Sequence, residues 1–472
     1  MMQAHIGSSV SEQLGDFAAG LPKGDLSAEA LALTKRLIVD ALACGIGGYR
    51  SPTGGIVTDW AQAQGGAGEA TLIGSGHKVG MSAAIIANQA MVRYLDYNDD
   101  LPIPIGVNDL VAAHPSGALP VALCLGEKVG ASGRDIIEAI AVGYEVVGRL
   151  LSGFRVSLEA RKFHHGSTLV YGSVAMAGRL LGASGPQIAN AMGVAGSLTV
   201  GLDILDADGE EYTMTKNLAD GMISERGYQA VELARRGLTG PLRIIEGPKG
   251  FAQAVLGGDE MFSWGNGDGS CGPGCSWILH TVIKSLPAEA TNHGHLTATC
   301  QLVTEHGIAP DDIDTVIVRT NKRTLIHTGD PVKKYPRNKE TADHSTYFLT
   351  AMAALEGKIS AGIYNEDNYT SDVVRAMIDK VQLEYEPEFD LTIPTGETEI
   401  RLKDGRSFRR RVNREELVGE PTNRMSDAML RDKFIECGDG LLSPDRIDDI
   451  IAFVFDLENQ DQPGALFGLT TV

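Results

Sequence analysis

The stretch GNGDGSCGPGC, Gly265 to Cys275, packs five glycines and a proline into eleven residues. No helix or strand tolerates that density of breakers, so it reads as a linker between domains. The chain has a different texture on its two sides, and that difference decides the fold class.

Upstream, helix follows helix. Ala30, Leu33, Leu37, Ala41 and Cys44 step by three and four behind a Ser27 cap, with Gly47 and Gly48 expected to stop the helix. The same step recurs at Ala84, Ala87, Met91 and Leu95. It returns at Ile137, Ile140, Tyr144 and Val147 behind a Ser132–Asp135 capping pattern, and again at Val170, Val174, Ala177 and Leu181. Alanine and glycine fill much of these stripes, which lets helices approach closely and accounts for part of the 57 glycines. Downstream, TVIVRT from Thr315 and VQLEY from Val381 alternate as half-buried strands do. TEIRLKDGRSFRRRV reads as a hairpin, with Asp404–Gly405 as a two-residue type I′ turn. Helical patterns near Leu296–Val303 and Tyr347–Ala354 sit among these strands. Helices then return at Leu430, Phe434 and Cys437, and behind Ser443–Pro444. The expected architecture is mainly α: a large helical domain (1–264) carrying an inserted, smaller α+β lid domain (265–412), with the C-terminal helices (413–472) packing back on the first part.

Composition narrows the function. The chain has 472 residues, with 41 basic and 61 acidic side chains for a net charge of −20, and such a surface repels nucleic acid and anionic lipid. No apolar run is long enough to span a bilayer and no leader pattern opens the chain, so the expectation is a cytoplasmic protein without nucleic-acid or membrane partners. Of the six cysteines only Cys271 and Cys275 lie close together. Their CxxxC spacing without a second pair is weak for zinc against a turn-rich loop. Gly267 to Gly272 satisfies GxGxxG, but Pro273 and Gly274 follow where a helix should begin, so no dinucleotide site is expected. A phosphate loop, a GxSxG elbow and HExxH are absent.

Four clusters carry chemistry. YLDYNDD gathers Asp96, Asp99 and Asp100 where an apolar helix stops, either as a site or as a solvated helix end. HPSG holds His114 on a proline-constrained turn, either functional or an ordinary loop histidine. RKFHHG groups Arg161, Lys162, His164 and His165, a basic knot that would suit an anionic ligand or be a solvated turn. TMTKNLADG presents Lys216, and Lys284 in VIKSLPAEAT has apolar flanks that could desolvate it and lower its pKa. Together, carboxylates, imidazoles and lysines form an inventory for removing a proton beside a carboxylate and expelling a neighbouring hydroxyl.

YLDYNDD, HPSG, KFHHG, TMTKNLADG through GLTGPLRIIEGPKGF, IKSLPA and ETADHSTYFLTAMAALEGK, in that order, resemble the MmgE/PrpD family. That family includes 2-methylcitrate dehydratase, cis-aconitate decarboxylase and iminodisuccinate epimerase. The resemblance runs from about residue 10 to 455 and implies a helical domain with a lid, a homodimer, an active site in the crevice between the domains, and chemistry without a cofactor, metal or iron-sulfur cluster. Carried over by position, it implies catalytic roles for Asp96, His114, His164, Lys216 and Lys284. Asp99, Asp100, Arg161, His165, Asp343 and His344 are expected to bind substrate. The implied reaction is elimination of water from a hydroxy di- or tricarboxylate, of the 2-methylcitrate dehydratase type. Decarboxylation of the cis-aconitate type, epimerisation of a related acid, and a non-catalytic helical binding protein are the alternatives. Against a −20 background, the cations that seat such a substrate must be local: Arg161, Lys162, Lys216 and Lys284, with His164.

Overall fold

A computed structural model describes residues 7–105, 109–206, 208–265 and 275–472. The Gly-rich stretch expected to be a hinge, with Cys271, thus lies outside the described residues except for its two ends. Helix α1 (Ala28–Tyr49) begins where Ser27 accepts a hydrogen bond from the Ala30 N–H, as its sequence predicts. It does not stop at Gly47 and Gly48. A Cβ on Gly48 would lie 2.1 Å from the Met91 carbonyl oxygen, so this glycine lets α1 pack backbone to backbone against α2 (Met81–Arg93). Ser132 caps α3 (Gly133–Ser152). That helix lies on α4 (Leu169–Leu180), and α5 (Thr215–Arg235) packs against both α2 and α4.

Packing divides the apolar interior into two large clusters, with a small third of Ala298, Val412 and Leu417. One cluster runs from Val10 to Ile283 and resumes at Met425, ending at Phe467; a second runs from Ala288 to Leu402. The break therefore falls after Ile283, not at the Gly-rich stretch, because Ile278 and Ile283 bury their side chains with the first cluster. The second cluster is built on a four-stranded sheet of β1 (Ile313–Thr320), β2 (Val381–Tyr385), β3 (Gly396–Leu402) and β4 (Ser407–Val412). The spatial order is β2-β1-β3-β4, with β1 parallel to β2 and the other pairs antiparallel. Val316 pairs with both Val381 and Ile400, which sets the apolar face in register. Helix α6 (His293–His306) covers that face, and α7 (Thr346–Glu356) packs on α6. The β3–β4 connection departs from expectation. Residues 403–406 separate the strands and only Gly405 takes a positive φ (91°), whereas type I′ geometry needs it at both central positions. Helices α8 (Asp427–Cys437) and α9 (Pro444–Phe455) return to the first cluster. No described helix is long and apolar enough to cross a membrane.

Candidate active site

A cleft enclosing about 850 Å³ of empty space, open mouth included, lies between the two apolar clusters. Its walls come from both, with Arg93, Asp96, Asp100, His114, His165 and Asp206 on one side and Lys284, His293, Arg323, His344 and Arg414 on the other.

The floor is built where α2 ends. The chain leaves the helix through Asp96 at φ 49°, a left-handed conformation that Asp tolerates better than most residues but that still costs energy. This turn buries the Asp96 carboxylate among cations. Arg93, one turn back on α2, pairs with it directly; Lys284 Nζ lies 3.1 Å away and Lys216 Nζ 3.7 Å away. Burial by itself would raise the Asp96 pKa, but Arg93, Lys216 and Lys284 outweigh it and hold the group well below the usual carboxylate range. Asp343 forms a second node. Lys339 lies 2.8 Å and Lys216 3.5 Å from its carboxylate, and Nδ1–H of His344 donates to it at 2.6 Å. With the 3.7 Å Arg93–Asp220 pair, Arg93, Lys216, Lys284 and Lys339 interlock with Asp96, Asp220 and Asp343 in one buried charge network.

Three imidazoles, His114, His293 and His344, are held neutral. Nδ1 of His114 lies 2.6 Å from the Asp99 carbonyl, which can only accept, so the proton sits on Nδ1 and Nε2 keeps its lone pair. Burial, then Arg93 and the neighbouring His165 and Lys284, push the His114 pKa well below its ordinary value. Burial and Lys216 likewise lower His344 to about 4, and burial and Lys284 lower His293 to about 4. Two aspartates move the other way. Burial raises Asp99 to about 7, although Ser116 N–H donates to it at 3.2 Å. Asp100 is raised to about 6 by burial, with Glu420 and Glu289 adding to the rise against the pull of Lys284. Its backbone makes an antiparallel bridge with Val282, which fixes the Asp96–Asp100 segment against the one bearing Lys284.

Of the residues singled out from sequence, Asp96, Asp100, His114, His165, Lys284 and His344 line the cleft. Asp99, His164, Lys216 and Asp343 are buried and absent from its lining; Lys216 and Asp343 reach it through Asp96 and His344, Asp99 through His114. Gly166 N–H donates to His164 Nδ1, and its Nε2 lies 3.1 Å from Asp206. Lys284 is set against a carboxylate, where its apolar flanks alone predict a desolvated amine. Arg161 and Lys162 are not brought to the site. Both are exposed, because the chain reverses through Lys162 at φ 66° and the Arg161 guanidinium lies over Gly257. Their place as cations is taken by Arg93, Arg323 and Arg414. Only Arg93 carries a local signal, as the last residue of α2, three positions before Asp96; His293, Arg323 and Arg414 are brought in from distant segments by packing.

Two groups of ligand-type atoms lie within 4.8 Å of one another, Asp96/Asp343/His344 and His164/His165/Asp206. The first is already neutralised by Lys216, Lys284, Lys339 and Arg93, which oppose a metal cation.

The chain matches the MmgE/PrpD N-terminal domain over residues 12–262 and the MmgE/PrpD C-terminal domain over residues 286–458. It is 27% identical to a cis-aconitate decarboxylase of Homo sapiens, over 97% of this chain and 94% of that protein. A cis-aconitate decarboxylase of Aspergillus terreus is 26% identical over 88% of this chain and 86% of its own. A 2-methylcitrate dehydratase of Escherichia coli (strain K12) is 27% identical, but over 64% of this chain and 62% of its own.

Proposed function

Because the chain belongs to the MmgE/PrpD family, we propose that it is a lyase of small polycarboxylates and, more narrowly, a decarboxylase of the cis-aconitate type. The observation that carries the first step is the cleft itself, in which the cations Arg93, Lys284, Arg323 and Arg414 stand with the neutral His114, His293 and His344 among the carboxylates Asp96, Asp100, Glu159, Asp206, Glu289 and Glu420. Support for the second step comes from the relatives: those named cis-aconitate decarboxylase align along nearly the whole chain, those named 2-methylcitrate dehydratase along about two thirds. The dehydratase reading that the motifs favour becomes the second reading.

Decarboxylation breaks a carbon–carbon bond, releases carbon dioxide and leaves an electron pair that a proton must quench. In this reading Lys284 and the arginines hold the remaining carboxylates and stabilise the charge that develops next to them. Asp100, which lines the cleft with a pKa of about 6, supplies the proton. Lys216 and Asp343, which do not line the cleft, set the field through Asp96 and His344, and the second apolar cluster acts as a lid over the cleft.

Incubation of the purified protein with cis-aconitate and, separately, with 2-methylcitrate, followed by proton NMR and carbon dioxide release, decides between the two readings. Carbon dioxide with one new carbon-bound hydrogen from solvent is expected. Water loss from 2-methylcitrate without carbon dioxide would move the assignment to the dehydratase.

A further inference from the structure

Helix α8 carries its apolar stripe at Leu430, Phe434 and Cys437, and Lys433 sits on the same buried side, 3% exposed. A lysine there is costly unless each of its three N–H donors is satisfied. Each one is. Nζ donates to the carbonyl of Tyr97 at 2.7 Å and to the carbonyl of Lys284 at 2.8 Å, and it pairs with the buried Asp40 carboxylate of α1 at 2.5 Å. It also stands 3.8 Å from the centroid of the Tyr97 ring, whose face attracts a cation. Tyr97 in turn donates its hydroxyl to the Ser285 carbonyl at 3.1 Å.

These partners are not scattered. Tyr97 follows Asp96, and the other carbonyl belongs to Lys284, so one ammonium from the C-terminal helices ties together the two backbone segments that carry the Asp96–Lys284 pair. The Asp100–Val282 bridge joins the same segments a few residues further on. Beside the first of these fastenings the Lys284 ammonium and the Asp96 carboxylate stand 3.1 Å apart. Lys433 does not line the cleft and cannot touch substrate.

We propose that Lys433, anchored by Asp40, is a positioning residue that sets turnover by holding Lys284 and Asp96 in register. This rests on the reading of Lys284 as a substrate-facing cation. Small displacements of such groups have large kinetic effects, since misplacement by about 1 Å can cost on the order of 10²-fold in rate.

The test uses the full chain with Lys433→Met, Lys284→Met and the double variant, assayed on cis-aconitate. Lys433→Met is expected to lower kcat at least about tenfold while KM moves less than about threefold, and the double variant to be within about twofold of Lys284→Met alone. Losses that multiply, or a folded Lys433→Met with kcat within about threefold of the parent, would overturn the proposal. Should Lys433→Met fail to fold, Asp40→Asn keeps the lysine and its two carbonyl bonds. It must lower kcat with the same lack of additivity, and an unchanged kcat overturns the proposal equally. If Lys284→Met keeps full turnover, it is the reading of Lys284 that fails. A crystal structure of the lysine or asparagine variant is independent of substrate: the Lys284–Asp96 separation should open by about 1 Å or more, and an unchanged separation refutes the positioning role even if no acid is turned over.

Discussion

Replacing Lys284 by methionine keeps the aliphatic stem and deletes the ammonium 3.1 Å from Asp96. At an effective dielectric of about 20 that pair attracts with about 5 kcal/mol, much of it offset by the cost of burying both charges. Arg93 and Lys216 still face Asp96, so the carboxylate is not left alone, and the stability lost should fall at the low end of the roughly 3–5 kcal/mol that breaking a buried pair costs. The kinetic loss should be larger than this structural one implies. A preorganised donor facing developing charge contributes about 2.7–4 kcal/mol, so kcat/KM on cis-aconitate should fall on the order of 10²–10³-fold. Initial rates from carbon dioxide release, on a variant whose near-ultraviolet dichroism and urea midpoint show a native fold, supply the comparison. A folded Lys284→Met losing less than about tenfold would refute the role given to this lysine.

The ionisation states give a pH profile that differs from that of free histidine. With His344 near 4 and Asp100 near 6, kcat/KM should be retained well below pH 6.5 and decline above about 6 as the proton donor ionises; a profile flat to pH 8 would eliminate Asp100 as the acid. Asp99, raised to about 7, binds its proton more tightly folded than unfolded, so its contribution to stability is present below about 4 and lost as pH rises through 7. Urea denaturation should therefore show Asp99→Asn gaining on the parent between pH 4.5 and 7.5, and a constant difference would contradict that ionisation. Arg161→Ala should leave kcat/KM within about twofold, as exposed positions away from a site usually do; a larger loss would return this residue to the site. Turnover should survive a chelator, since the acidic node at Asp96 and Asp343 already holds its cations; abolition by chelator and recovery with a divalent metal would direct attention to His164, His165 and Asp206.

Local periodicity was enough for the helices. The stripe behind Ser27, the cap at Ser132 and the start at Pro444 all read correctly, because a 3.6-residue repeat and a capping side chain act over a single turn. The ordered motifs also pointed to Asp96, His114, Lys284 and His344, since each stands in its own short, distinctive run. Periodicity misjudged Gly48: a glycine serving a close helix crossing looks the same in sequence as one ending a helix, and only the position of Met91 distinguishes them.

By itself, then, the sequence determined the mainly helical class, the family and the acid-base inventory. Tertiary structure decided which charges share a cavity. Arg161 lies in the most basic-looking motif and still faces solvent, while Arg93, His293, Arg323 and Arg414 converge from segments up to about three hundred residues apart. The same holds for Lys433, an ordinary helix residue to any local reading, whose ammonium joins α1, the Asp96 turn and the Lys284 segment. The physical reason is range. Helix formation is settled by neighbours a few residues away, whereas the energy of a buried charge depends on every group that packing brings within a few ångströms, and no local pattern encodes that.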